Sequence, residues 1–143
     1  MRLRFLYLLI LLATLCAQPL AAQKKEMKEA DKYFNSFEYA LALNAYKKLM
    51  ENKEPDAYLL ERIADSYRLM NNSKEAEFWY AQAASFENVA PASIYYYAEA
   101  AKRNGNYDKA KELYTTYARR VPEQANMAMR QAASCDTAIF WTN

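Results

Sequence analysis

The chain has no histidine and one glycine among its 143 residues. Without histidine it cannot build the usual general base, a Ser-His-Asp or Cys-His nucleophile, or an ordinary catalytic zinc site. One glycine is too few for the positive-φ turns of β-sandwiches and barrels, or for a glycine-rich loop around phosphate. Two cysteines are too few for a disulfide framework or a four-thiolate metal site. The sequence therefore predicts a protein that is not an enzyme and that holds no metal or cofactor.

An excess of charge of either sign is also missing. The chain carries 19 basic and 17 acidic residues, a formal net charge of +2. Such a balance is too weak for a nucleic-acid partner. The length and the 53% content of apolar residues suit one domain with one core.

The N-terminus has the pattern of a secretory signal peptide. Two arginines precede an apolar run over residues 5–15, and small residues follow it up to Ala22. A run of 11 residues is too short for a permanent anchor, since a membrane-spanning helix needs about 20. We expect cleavage after Ala22, or after Ala17 as second choice. Lipidation of Cys16 is disfavoured because the bulky Leu15 precedes it.

Cleavage at this point predicts an exported protein, with no membrane span left in the mature chain. Loss of residues 1–22 removes two arginines and no acidic residue, so the mature chain keeps 17 basic and 17 acidic residues. Cys135 becomes the only cysteine, and an unpaired thiol of an exported protein is usually a buried small hydrophobe.

The mature sequence repeats with a fixed period. We expect copies over 23–56, 57–90 and 91–124, with a capping helix and tail over 125–143. Three columns of identical residues carry the signal without insertion or deletion. They are Ala30, Ala64 and Ala98; Ala42, Ala76 and Ala110; and Tyr46, Tyr80 and Tyr114.

The pattern of apolar residues in each copy predicts two amphipathic helices. In the second copy Leu60, Ile63 and Tyr67 recur at three- and four-residue steps, which places them on one helix face. In the third copy Gly105 lies between two asparagines and is expected to adopt a left-handed conformation at the end of a helix. The alanine columns allow two helices to approach closely, and the tyrosines are expected to fill the core rather than stack on a ligand.

This pattern resembles the tetratricopeptide repeat family over residues 23–124. A small residue at the eighth position of each copy, alanine at the twentieth and tyrosine at the twenty-fourth all match, whereas the family's tryptophan at the fourth is absent. The resemblance implies an all-α fold, an α-solenoid of three helix hairpins plus a C-terminal capping helix. Glu26 and Glu29 stand at apolar positions of the first copy, and we interpret them as a solvent-facing N-terminal cap.

The resemblance also implies a concave groove for a protein partner, formed by set positions of each first helix. Acids, bases and tyrosines there suit a polypeptide of the cell envelope, although a merely solvated face is the alternative. The family's clamp for C-terminal carboxylates needs lysine and asparagine at set positions and is not supplied. The predicted groove residues are Met27, Asp31, Phe34, Asn35, Tyr58, Glu61, Asp65, Arg68, Tyr95, Glu99, Lys102 and Arg103, with Lys24, Leu69 and Ala92 at the remaining positions.

Two other interpretations remain open. Glu61 and Asp65 lie one helical turn apart and could form an acid/base pair, but helical acids at this spacing usually form a solvated face. Phe140 and Trp141 give the chain an apolar end. That end favours a structural assembly arm that docks through its tail and has no peptide ligand in the groove.

A narrower resemblance extends over nearly the whole chain. A signal peptide, three such repeats and a tail ending near Trp141 are similar to the N-terminal region of a Bacteroidetes-type outer-membrane family, in which a β-propeller and an OmpA-like domain follow. Some members belong to type IX secretion and gliding machinery, which implies such a role here, in the periplasm and associated with the outer membrane. Peptidoglycan binding is not implied, because the sequence has no OmpA-like domain.

Overall fold

The computed structural model describes residues 23–52 and 54–142, so the predicted signal peptide lies outside the described residues. These residues form seven α-helices and no strand, which confirms the all-α prediction. The helices are α1 (23–35), α2 (Tyr39–Asn52), α3 (Ala57–Leu69), α4 (Ser73–Ala83), α5 (Pro91–Arg103), α6 (Tyr107–Arg120) and α7 (Ala125–Thr142), with a 3-10 turn at Pro122–Gln124 before α7.

The starts of the helices follow from their capping residues. Before α3, the Asp56 side chain accepts a hydrogen bond of 2.9 Å from the backbone N–H of Leu59. Before α4, Asn72 accepts one of 3.3 Å from the backbone N–H of Glu75. Pro91 opens α5, at the position where a missing N–H costs no intrahelical bond. The helices α3, α5 and α7 begin at Ala57, Pro91 and Ala125, so each begins one repeat period after the one before.

The turn inside each hairpin contains one left-handed residue at the same repeat position. Gly105 has φ 82°, as predicted, and Asn71 has φ 60°. In the first hairpin the residue is Phe37, with φ 64° and a side chain that is 79% exposed. A bulky residue in this region of the backbone is an outlier, and the repeat pattern does not predict it.

The described residues belong to two compact units, 23–52 in the first and 54–142 in the second. In the described part of the first unit, Ala30, Ala42 and Tyr46 are fully buried. Glu26 and Glu29 are exposed, as a cap prediction requires.

In the second unit each of α3, α4, α5 and α6 packs against the next helix along the chain. Its core holds the second- and third-copy alanines of the predicted columns together with Ile63, Tyr80 and Tyr114, each at most 1% exposed. Burying a side chain such as Ile63 stabilises the fold by about 1.5–3 kcal/mol. The core prediction is therefore confirmed for these columns, whereas Tyr67 and Tyr107 are half-buried.

The helix α7 closes the second unit through small residues. Ala128, Ala132 and Cys135 are buried, and burial raises the pKa of the Cys135 thiol. Cys135 is thus the small hydrophobe that the sequence predicts. Within residues 23–52 and 54–142, no helix is both long enough and apolar enough to cross a membrane.

Candidate partner-binding groove

The second unit brings several predicted groove residues together in one cavity. The cavity has a volume of about 290 Å³ and lies between the C-terminal end of α3, its following turn and α5. Its lining residues are Arg68, Leu69, Asn71, Ser73, Ala76, Tyr95, Tyr96, Glu99, Ala100 and Arg103. Four of the predicted groove residues therefore share this cavity, together with Leu69 from the same set of positions.

The predicted acidic residues of the groove hold the repeat framework together. The Asp65 carboxylate accepts a hydrogen bond of 2.5 Å from the hydroxyl of Tyr80. Glu99 accepts a bond from the hydroxyl of Tyr114, the equivalent residue of the next copy. Both tyrosines are buried in the core, and burial raises the pKa of each, with the neighbouring carboxylate adding to the effect.

The first unit contains the same bond. The Tyr46 hydroxyl donates to Asp31 at 2.7 Å, and donor and acceptor lie 15 residues apart as in the other two copies. An acid at the ninth position and a tyrosine at the twenty-fourth are visible in the sequence, so their periodic spacing could have predicted this pairing. These acids therefore join the two helices of each hairpin, and they are also residues of the predicted groove.

Arg68 lines the cavity, and its charge is paired within the fold. Its Nε donates to the Tyr80 hydroxyl at 3.0 Å, and its Nη2 lies 3.1 Å from the Asp65 carboxylate. The guanidinium group stacks on Tyr96, 3.9 Å from the ring centroid. Burial acts to lower the pKa of Arg68, but the oxygens of Tyr80 and Asp65 outweigh it and leave the pKa raised.

Glu61 and Lys102 connect successive copies. A carboxylate oxygen of Glu61 accepts a 2.6 Å hydrogen bond from the backbone N–H of Ala90, just before α5. The Lys102 ammonium donates to Gln131 at 2.9 Å and to Ser134 at 2.8 Å, both on α7. Glu61 therefore has a structural partner, as Asp65 does, and this arrangement does not favour an acid/base pair.

Tyr95 and Arg103 also line the cavity. The Tyr95 ring lies 5.7 Å from Tyr96 and Tyr114 and 5.2 Å from Tyr117, measured between centroids. Arg103 is exposed and forms no ion pair within residues 54–142. These two side chains offer an aromatic surface and a set of hydrogen-bond donors.

The remaining predicted groove residues differ in how far their side chains are exposed to solvent. Tyr58 on α3 is 42% exposed, with the Arg62 guanidinium 5.0 Å from its ring centroid. In the first unit Met27 and Phe34 are half-buried and Asn35 is exposed. The predicted groove also omits Met129 of α7, which stands one repeat period after Tyr95 and is 48% exposed. Extending the period past residue 124 would have found it.

A larger cavity of about 550 Å³ lies elsewhere in the second unit, between α4 and the α5–α6 turn. It contains none of the predicted groove residues, and its exposed apolar wall is Phe78. Within the described residues, no group of three or more His, Cys, Asp or Glu side chains could hold a metal ion.

The sequence matches no protein-family model and no curated protein. Solved structures do resemble it. The second TPR domain of human RPAP3, in complex with the HSP70 peptide SGPTIEEVD, has a TM-score of 0.70 and 20% identity, covering 80% of this chain and 98% of that one. The Yersinia enterocolitica type III secretion chaperone SycD, in complex with a peptide of the translocator YopD, has a TM-score of 0.66 and 15% identity, covering 84% and 94%.

A third similar structure is the Sgt2 TPR domain from Aspergillus fumigatus, with a TM-score of 0.64 and 18% identity, covering 85% of this chain and 81% of that one. At these identities the likeness concerns the fold. It agrees with the helical-repeat architecture that the repeat period predicts.

Proposed function

We propose that this chain, whose fold is that of tetratricopeptide repeat domains, is a non-enzymatic scaffold that binds a segment of a protein partner in the cavity between α3 and α5. The observation that carries the proposal is the convergence of Leu69, Tyr95 and Arg103 on one cavity of about 290 Å³. The bound peptides in two similar structures, RPAP3 and SycD, support it.

The chemistry of the cavity suits a polypeptide. Aromatic residues and arginine are the side chains most enriched among those that dominate binding energy at protein interfaces. Tyr95 gives a large contact area at low entropic cost, because its ring is already held among other tyrosines. The concave face of stacked helical repeats is also the surface that such proteins commonly use for binding.

The test is a selection of peptides from a random phage-displayed library on the purified protein. Selected peptides should bind Tyr95→Ala at least about 30-fold more weakly, the effect of losing an interface hot spot of about 2 kcal/mol. Phe78→Ala, which removes an exposed ring outside this cavity, is the matched control and should bind as the unaltered protein does. Thermal unfolding of both variants checks that the fold is retained. Failure to select any peptide that depends on Tyr95 would overturn the proposal.

We further propose that the protein acts in the cell envelope after export. The basic start, the apolar run over 5–15 and the small residues before Gln23 support this location. Mass spectrometry of the protein isolated from the envelope should find Gln23 at its N-terminus. A chain that retains Met1 and stays with the cytoplasmic fraction would contradict the proposal.

The narrower sequence resemblance supports a specific setting, an outer-membrane assembly such as type IX secretion or gliding machinery. Chemical cross-linking in intact cells, followed by mass spectrometry, tests it. Cross-links between the chain and outer-membrane or secretion components are expected. Cross-links confined to other compartments would contradict this setting without affecting the groove.

The alternative function, a structural arm that docks through its tail, is favoured by a specific observation. Phe140 and Trp141 are 74% and 79% exposed, and their ring centroids are 5.3 Å apart. Under this alternative, which has no peptide ligand in the groove, replacing both with alanine should release the protein from its envelope assembly. Retention of the double variant in the assembly would argue against tail docking.

A further inference from the structure

We propose that Asn104 is a deamidation site that the fold holds unreactive, and that its conversion opens the junction between the second and third hairpins irreversibly. Asparagine followed by glycine deamidates most readily, because glycine has no side chain to hinder attack by its own backbone nitrogen. Asn104–Gly105 is the one such dipeptide in the sequence. This site lies outside the α3–α5 cavity and does not depend on the function proposed for that cavity.

The reaction needs one nucleophile and one backbone rotation. The backbone nitrogen of Gly105 loses its proton and forms a bond to Cγ of Asn104, and the amide nitrogen of that side chain leaves as ammonia. Water then opens the resulting succinimide ring at either carbonyl, which gives aspartate or isoaspartate. The ring closes only when Cβ of Asn104 eclipses the nitrogen of Gly105.

The backbone of the fold keeps these atoms apart. Asn104 is the C-cap of α5 with ψ 1°, about a third of a turn from the ψ that ring closure requires. The N–H of Gly105 is also engaged, since it donates to the carbonyl of Lys102 at 3.1 Å. Gly105 itself is exposed, and a Cβ added there would meet nothing within 4 Å. Geometry rather than burial therefore holds the site unreactive.

A cluster of four side chains, which we call the clasp, fixes the Asn104 side chain across the junction. Its members are Ser73 and Glu77 of α4 together with Asn104 and Asn106. The Nδ2 of Asn104 donates to the Ser73 carbonyl at 3.0 Å and to Oε2 of Glu77 at 2.6 Å, and its Oδ1 accepts from Ser73 Oγ at 2.6 Å. Asn106 donates to the other oxygen of Glu77 at 2.7 Å. Rotation of Asn104 toward Gly105 must therefore break three bonds.

The product of deamidation cannot close the clasp. Conversion replaces the Nδ2 donor of Asn104 with a carboxylate oxygen, which faces the Ser73 carbonyl and the carboxylate of Glu77. Two acceptors then lose their donor, and two like charges meet. Lys74 lines the adjacent cavity, but an exposed lysine offsets little of this repulsion. The change is one-way, because the ammonia has left.

The repeat framework does not require the clasp. The residue one repeat period after Asn104 is Ala138, and the one after Glu77 is Lys111. Lys111 instead forms an ion pair of 2.5 Å with Asp136 of α7. A labile amide thus closes one junction where an ion pair serves at the next.

Incubation of the protein in mildly alkaline buffer, folded or unfolded in denaturant, tests the protection. Proteolysis and mass spectrometry follow the peptide that contains Asn104, by the small mass gain when its amide becomes an acid. Conversion should be at least about tenfold slower in the folded protein, where it requires local opening. Equal rates, or no conversion in either state, would overturn the proposal.

Two serine variants assign the protection to the clasp. Ser73→Ala should speed conversion in the folded protein about fivefold, the effect of losing one hydrogen bond between neutral groups. Ser85→Ala is the matched control, because its hydroxyl bonds to the carbonyl of Gln82 away from the clasp, and it should leave the rate unchanged. Equal rates in the two variants would overturn the role of the clasp.

Asn104→Asp tests the consequence of conversion. It should lower Tm by about 5 °C and speed amide hydrogen exchange at the start of α4 and in the α5–α6 turn. In a Glu77→Gln background the same substitution should lower Tm by less than about 2 °C, because the neutral amide can donate to the new carboxylate. An equal loss of Tm in both backgrounds, or unchanged exchange, would overturn the opening of the junction.

Discussion

The bond between Tyr80 and Asp65 offers a direct test of the packing described above. Tyr80→Phe removes one hydroxyl and keeps the ring, which is 1% exposed. The hydroxyl donates to Asp65 at 2.5 Å and accepts from Arg68 at 3.0 Å, so two charged groups lose a partner. Hydrogen bonds to charged groups contribute about 1.5–3 kcal/mol each, but Asp65 and Arg68 keep their own ion pair at 3.1 Å.

We therefore expect Tyr80→Phe to lower the free energy of unfolding by about 2 kcal/mol. For a protein of this size that loss corresponds to a fall in Tm of about 8 °C. Urea unfolding followed by far-ultraviolet circular dichroism measures the free energy, and a thermal scan measures Tm. The slope of the urea transition should stay constant, because the surface exposed on unfolding does not change.

Tyr107→Phe is the matched control, since Tyr107 is half-buried in the same unit and loses the same atom. It should change the free energy of unfolding by less than about 0.5 kcal/mol. A Tyr80→Phe variant as stable as this control would refute the assignment of a stabilising role to the Tyr80 hydroxyl.

Three further outcomes are expected. Gly105→Ala should lower the free energy of unfolding by about 1 kcal/mol, measured by urea unfolding. The loss comes from backbone strain at φ 82° and not from a clash, because an added Cβ would meet nothing within 4 Å. Burial raises the pKa of Tyr80 and of Tyr114 in the fold, so above about pH 10 each should lower the free energy of unfolding by about 1.4 kcal/mol per pH unit, and Tyr80→Phe should remove the share of Tyr80. Cys135 should react with a thiol reagent at least about a thousandfold more slowly in the folded protein than in denaturant, because its thiol is buried and its pKa is raised; equal rates would contradict its burial.

The repeat period predicts the fold well because buried positions accept few residue types. Ala64 and Ala98 must be small where helices cross, and Tyr80 must fill the core, so these columns repeat in the sequence and are buried in the structure. The turn at Gly105 is predictable for a similar reason, since a left-handed residue without a Cβ costs little.

The roles of the groove residues were harder to predict. Periodicity shows which helix face a side chain lies on, but not which polar atom across the next helix it meets. Asp65 and Glu61 lie one turn apart on α3, yet one bonds to Tyr80 of α4 and the other to the backbone of Ala90. Phe37 stands at the repeat position of Asn71 and Gly105, so the period indicates a left-handed residue there, but the bulky side chain gives no sign of it.

The most direct test of the central claim is site-specific photo-cross-linking in living cells. A photoreactive phenylalanine analogue replaces Tyr95 in one strain and Phe78 in another, and the masses of the adducts are compared after illumination. The groove assignment predicts a defined polypeptide adduct at position 95 and none of the same mass at position 78. Equal adducts at the two positions, or an adduct at position 78 alone, would contradict the claim that the α3–α5 cavity is where the partner binds.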